Sequence, residues 1–160
     1  MNFKNTIKPN FISVIMPVYN ASLYIQEAVD SILNQSYLNF ELIIVNDSST
    51  DDTKQKLYSY QNKIVYIENE TNLGPANSLN KGILASQGEF IAIMHADDIA
   101  YENRLKKQLA YLIDNPHIDV LGTGYVEIDE QKNALRESIY HELKNYELRL
   151  LFNNIFCHPT

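Results

Sequence analysis

Short apolar runs alternate with segments of helical period along most of this chain. Five runs read as strands: residues 11–16, 41–45, 64–67, 90–94 and 120–124. The run Phe90-Ile91-Ala92-Ile93-Met94 is apolar throughout, the pattern of a strand buried on both faces of a parallel sheet. Within 21–35, Ile25, Ala28, Val29, Ile32 and Leu33 share one helical face, with Asn20 or Ser22 placed to cap its start. A short helix over 53–61 follows a polar loop. Another over 75–87 has Pro75 in its first turn and Gly88 at its stop. A fourth over 102–115 turns Leu105, Leu109, Leu112 and Ile113 inward and ends at Pro116. Residues 125–129 read as an extra strand and 142–152 as a late helix.

Strand and helix in alternation mean βαβ units. The expected architecture is therefore α/β, three layers deep, with a doubly wound and mostly parallel sheet. Residues 1–10 are expected to form an N-terminal extension and 11–160 a single domain. The last residues, Asn154-Ile155-Phe156-Cys157-His158-Pro159-Thr160, follow an amphipathic segment and read as the middle of a fold, so a fragment truncated at its C-terminus is expected. The apolar Leu148, Leu150, Leu151, Phe152, Ile155 and Phe156 would then either be hidden in a homodimer or fray from about Asn153 onward.

Composition narrows the function. A net charge of -7 argues against coating nucleic acid. One cysteine, Cys157, excludes an intrachain disulfide and suits a reducing, cytoplasmic setting. No apolar run approaches the roughly 20 residues of a membrane span.

The chemistry gathers in three loops, each following the carboxyl end of an expected strand, where open α/β sheets bind ligands. None holds Gly-x-Gly-x-x-Gly or Gly-Lys-Ser/Thr, which disfavours dinucleotide enzymes and P-loop ATPases. The first loop offers Tyr19, a ring able to stack on a planar base. The second offers Asp47, an acceptor suited to the N–H of uracil or a similar ring. The third, His95-Ala96-Asp97-Asp98, ends an apolar strand in adjacent carboxylates, which suit a divalent metal holding a phosphorylated ligand or, for one of them, a helix cap. Asp51 and Asp52 fit the first turn of the next helix. His117, His141 and His158 lack metal-ligand spacing, and Arg104 is expected to pair with nearby carboxylates.

Four motifs in order, Val14-Ile15-Met16-Pro17-Val18-Tyr19-Asn20, Ile44-Val45-Asn46-Asp47-Ser48-Ser49-Thr50-Asp51, Asn72-Leu73-Gly74-Pro75-Ala76 with Asn80-Lys81-Gly82, and His95-Ala96-Asp97-Asp98, resemble those of family 2 glycosyltransferases. The resemblance implies the GT-A fold and a nucleotide-diphosphate sugar donor, UDP-linked, with Tyr19 and Asp47 at the base and Pro17, Val18 and Asn20 lining their loop. It implies Asp97 as a ligand of Mn2+ or Mg2+ bridging the diphosphate, with Asp98 sharing the ligation or holding the loop. His95 stands where the family usually has its first carboxylate. An imidazole there accepts a ribose hydroxyl, joins the metal shell or simply closes the strand end. Asn80 and Lys81 match a polar pair near phosphate, although a solvated helix face accounts equally for Lys81, and Leu79 replaces a usual Arg.

The resemblance further implies an inverting transfer to a saccharide or lipid-linked acceptor, in cell-surface polysaccharide or lipooligosaccharide synthesis at the inner membrane face. The catalytic base would lie beyond Thr160. A nucleotidyltransferase would want a Gly-rich basic loop in place of Pro17-Val18-Tyr19-Asn20; a non-catalytic nucleotide-sugar-binding domain is the other alternative.

Overall fold

Ile12, Val14, Met16 and Val18 alternate with Ser13, Ile15 and Pro17, so one strand presents a continuous apolar row to one side of a sheet and a mostly apolar row, opened by Ser13, to the other. In the computed structural model, which describes residues 7–138, this strand is β1 (Lys8–Val18). It lies between β2 (Phe40–Asn46) and β4 (Gly88–Ile93), and β3 (Val65–Glu68) adds beyond β2, giving the order β3-β2-β1-β4 with every pairing parallel.

The alternation decides the layers. Ile12, Val14, Met16 and Val18 of β1, with Leu42 and Ile44 of β2, form one core with Ile25, Ala28, Val29 and Ile32 of α1 (Ile25–Leu33). Leu57 of α2 (Thr53–Tyr58) and Leu105 and Leu109 of α4 (Arg104–Asp114) complete it. The opposite face meets α3 (Pro75–Ala85), whose Gly82 lies so close that a Cβ there would stand 2.4 Å from Ile15 Cγ2. Helices thus cover both faces of a parallel sheet, as the pattern predicts.

Several expectations are corrected. The strand at 90–94 is not buried on both sides. β4 is an edge of the four-stranded sheet among the described residues, and Ile91 is exposed. β1 begins at Lys8, inside the expected extension, with Lys8 paired to Gly88 across a register shift where Asn10 has φ 54°. Neither Asn20 nor Ser22 caps α1, which starts behind Tyr24 without a side-chain cap. Ile113 is exposed on α4.

Gly88 does not stop α3, which ends at Ala85. It opens β4 where a Cβ would meet Ser13 N at 2.6 Å and Phe11 O at 2.7 Å, both backbone atoms. Gly88→Ala is therefore expected to lose about 1–3 kcal/mol of stability by overpacking. A urea midpoint equal to wild type would show that β1 and β4 can separate freely.

The chain divides into two compact units, Met1–Asn115 and Pro116–Thr160. In the second, β5 (Tyr125–Ile128) pairs antiparallel with β6 (Ala134–Ser138). The Asp129 carboxylate closes their turn by accepting from the N–H of Gln131 and of Asn133, at 2.9 and 2.8 Å. Residues 125–129 thus do hold a strand, whereas 120–124 do not: the stretch carries two glycines, and Val120 is 71% exposed. The late helix at 142–152, Cys157 and the apolar end lie outside the described residues. No described helix is long and apolar enough to cross a membrane.

Candidate nucleotide and metal site

All four parallel strands end at one edge of the sheet, so the segments after Val18, Asn46, Glu68 and Ile93 share a rim. The chain steps from β1 to β2 to β3 in one direction, then returns to place β4 on the other side of β1. That reversal opens a crevice outside the carboxyl ends of β1 and β4, where ligands bind in such sheets. The Tyr19 loop and the His95–Asp98 loop flank it.

The first two loops are stitched together. Asp47 N donates to the Val18 carbonyl at 2.7 Å. Asn20, in the left-handed region at φ 49°, donates its N–H to Ser49 Oγ and accepts from Thr50 N on its side-chain oxygen. Ala21 N and Ser22 N donate to Thr53 Oγ1 and Asp51 Oδ2, and Asp51 Oδ1 also accepts from Thr53 N at the start of α2. Burial pushes the Asp51 carboxyl up, but these bonds outweigh it and hold it well below its ordinary value. Asp51 is a structural anchor, but not from the first turn: α2 begins at Thr53 behind Asp52, and no acidic residue stands in its first turn. On this frame Tyr19 stands half exposed at the rim, Pro17 is half-buried, and the Val18 side chain belongs to the core, so Val18 can offer a ligand only its backbone.

Asp47 departs from the expected free acceptor. It is 3% exposed, its Oδ1 accepts from Asn69 Nδ2 at 2.7 Å and Leu73 N at 2.9 Å, and its Oδ2 accepts from Gly74 N at 2.8 Å. Burial raises this carboxyl, yet the N–H groups of Leu73, Asn69 and Gly74 and the Ser78 hydroxyl together lower it. The carboxylate thus pins the loop ahead of α3, where Gly74 takes φ 83° and ψ 162°, a conformation open essentially to glycine alone. Lys81 stands exposed on α3, as a solvated helix face would have it, and its Nζ donates to Asn69 Oδ1 at 2.7 Å and to the Glu68 carbonyl at 3.2 Å. Asn80 is exposed on α3.

Across the crevice, His95, Asp97 and Asp98 each present a ligand atom, all within 4.8 Å of one another. His95 Nδ1 lies 3.8 Å from Asp98 Oδ2. Burial, then the Asp97 charge, pushes the Asp98 carboxyl up, against the opposing pull of His95 and Arg104. One imidazole nitrogen beside two crowded, outward carboxylates fits a divalent ion such as Mn2+ or Mg2+, which would relieve their repulsion. Among the described residues, Arg104 forms no ion pair with a carboxylate. Its guanidinium donates to the Ile93 carbonyl at 2.9 Å, to Met94 Sδ and to Gln108, fixing the strand end just before His95.

Gln35, which the sequence did not single out, lies just beyond α1 and holds the entry to α4. It is buried, donates to the Tyr101 carbonyl at 2.8 Å and accepts from Leu105 N at 3.0 Å, supplying the cap that α4 lacks locally. Asn69 was missed as well. The only signal for either was a polar side chain beside an apolar run.

Comparison with known proteins supports the geometry. The model for glycosyl transferase family 2 matches residues 13–159. The putative glycosyltransferase EpsE of Bacillus subtilis is 42% identical over 74% of this chain and 44% of its own length. The structure of S. aureus TarS 1-349 in complex with UDP superposes with a TM-score of 0.67 at 32% identity, over 78% of this chain and 38% of that one. A mannosyltransferase from Pyrobaculum calidifontis in complex with GDP-Man and Mn2+ gives a TM-score of 0.60 at 25% identity, over 71% of this chain and 34% of that one. The chain spans about half the length of the curated relatives it matches. The four motifs, the GT-A arrangement of sheet and rim, and the family match over residues 13–159 agree, and the chain belongs to glycosyltransferase family 2.

Proposed function

We propose that this chain is the donor-binding portion of a glycosyltransferase that moves a sugar from a UDP-sugar to a saccharide or lipid-linked hydroxyl, with inversion. The observation that carries this reading is the placement of Tyr19 and of the His95-Asp97-Asp98 cluster on the two sides of one crevice. A second line of support is that TarS, similar in fold, has been solved with UDP and with UDP-GlcNAc.

In this reading uracil stacks on the half-exposed Tyr19 ring, while Asn20 and Pro17 shape the loop beneath it. Asp47 serves the base site as its floor, holding the 72–74 loop rather than spending its lone pairs on the ligand. Asn80 is the polar candidate for the phosphate side. Asp97 and Asp98, joined by His95, would hold Mn2+ or Mg2+ on the phosphate side of the site. When bound, such an ion supplies Lewis-acid stabilisation of the charge that develops on the leaving diphosphate. The acceptor-side base is not assigned to any described residue. The proposed setting is synthesis of a cell-surface polysaccharide or lipooligosaccharide at the inner membrane face.

Titration calorimetry in Mn2+ with UDP, GDP and ADP tests the donor. UDP is expected to bind tightest, and Tyr19→Ala to weaken it by about 1–3 kcal/mol through lost stacking. Tighter binding of GDP, or a Tyr19→Ala variant that binds UDP like wild type, would move the base elsewhere.

A further inference from the structure

Asn69 is 2% exposed and its amide lies between two groups of opposite character. On one side the Asp47 carboxylate can only accept; on the other the Lys81 ammonium can only donate. Asn69 therefore has one workable orientation, with its oxygen on Lys81 Nζ at 2.7 Å and its N–H group on Asp47 Oδ1 at 2.7 Å and Ser78 Oγ at 2.9 Å. Its backbone N–H is fixed too, donating to the Asn46 carbonyl at 2.8 Å. Lys81 sits one helical turn beyond Ser78 on α3, so a single helix supplies both ends of the network. The chain of contacts runs from α3 through β3's end to Asp47 and out to the N–H groups of Leu73 and Gly74 at the rim.

We propose that Lys81 is a positioning residue of the base site: through Asn69 it orients the Asp47 carboxylate, which sets the Asn72-Leu73-Gly74 loop against which a nucleoside is held. This rests on the nucleotide-binding reading above and replaces a direct phosphate contact by Lys81 with an indirect role at the base end. Without the ammonium, the buried Asn69 oxygen keeps no donor, and the amide loses the restraint that keeps its N–H group on Asp47.

The two roles separate by ligand. A phosphate-binding lysine matters more for UDP than for uridine. A residue that positions the base floor matters equally for both. Lys81→Met, which keeps the aliphatic stem, is expected to weaken uridine and UDP by the same factor, roughly tenfold. Asn69→Ala should weaken both similarly, and the double variant should lose little more than either single one, because both act through one contact. Hydrogen exchange in the ligand-free protein supplies a separate reading: the Leu73 and Gly74 amides should exchange at least about tenfold faster in Lys81→Met.

A loss confined to UDP, additive losses, or unchanged exchange at Leu73 and Gly74 would each overturn the positioning role. A wild-type protein that binds neither uridine nor UDP would instead overturn the nucleotide reading, while the exchange result still decides whether Lys81 sets the loop. If Lys81→Met does not fold, Lys81→Leu, which likewise carries no donor, is read in the same assays with the same outcomes.

Discussion

Replacing Asp47 by alanine is expected to cost about 2–4 kcal/mol of folding stability, read as a lower urea midpoint at pH 7. Three hydrogen bonds are lost at once, from Asn69 Nδ2, Leu73 N and Gly74 N; Asn69 Nδ2 keeps Ser78 Oγ and Gly74 N keeps Asn72 Oδ1 as weaker, uncharged acceptors. A hydrogen bond to a charged group is worth about 1.5–3 kcal/mol, and the remaining acceptors of Asn69 and Gly74, with water at the exposed Leu73, recover part of the total. The same carboxylate gives stability a defined pH dependence. Its folded pKa lies below its unfolded one, so its contribution is fully present above the unfolded value, about 3.9, and is lost as pH falls through the folded value. Asp51 acts in the same direction through its bonds to Ser22 and Thr53. Wild-type stability should therefore fall from about pH 4 downward, and Asp47→Ala should flatten part of that fall. A variant with an unchanged midpoint and an unchanged acid limb would show that this carboxylate does not hold the loop.

The contrast between Asp47 and Asp97 shows what the sequence made legible. Both follow apolar strands, and that periodicity correctly predicted the parallel sheet, the four helices and the rim on which both residues stand. Their surroundings differ for a reason no local pattern carries. Asp47 lies beside Asn69, Leu73 and Gly74, which are 22 to 27 residues away and arrive only when β3 and the loop ahead of α3 are in place. Asp97 and Asp98 neighbour His95 within one short loop, so their clustering was visible within a single four-residue motif. Ile91 and Ile113 misled for a related cause: an apolar residue declares that burial would be favourable, not which element covers it. β6 escaped notice because Ala134-Leu135-Arg136-Glu137-Ser138 is almost wholly exposed and shows no two-residue alternation.

Removing divalent metal is expected to weaken UDP binding by about 100-fold, the largest effect on function that the site predicts. The argument is electrostatic. A diphosphate entering the crevice from the Tyr19 side approaches Asp97 and Asp98, and the Asp98 carboxyl is already pushed up by burial and by Asp97 before any ligand arrives. A unit-charge pair at about 4 Å costs about 4 kcal/mol at an effective dielectric of 20. Exposure of both carboxylates screens that to roughly 2–3 kcal/mol, which is about two orders of magnitude in affinity. A cation held by Asp97, Asp98 and His95 would turn the repulsion into attraction. Calorimetric titration of UDP in EDTA and then in excess Mn2+ measures the difference directly. Asp97→Asn makes the test two-sided, because it removes one ligand and one negative charge together. In Mn2+ it should bind UDP more weakly than wild type; in EDTA it should bind UDP no worse, and slightly better. That crossing of signs belongs only to a residue whose charge is harmful alone and useful beneath a cation. Equal UDP affinity with and without metal would leave Asp97 and Asp98 as loop and helix-start residues, and the donor site would then lack its electrophile.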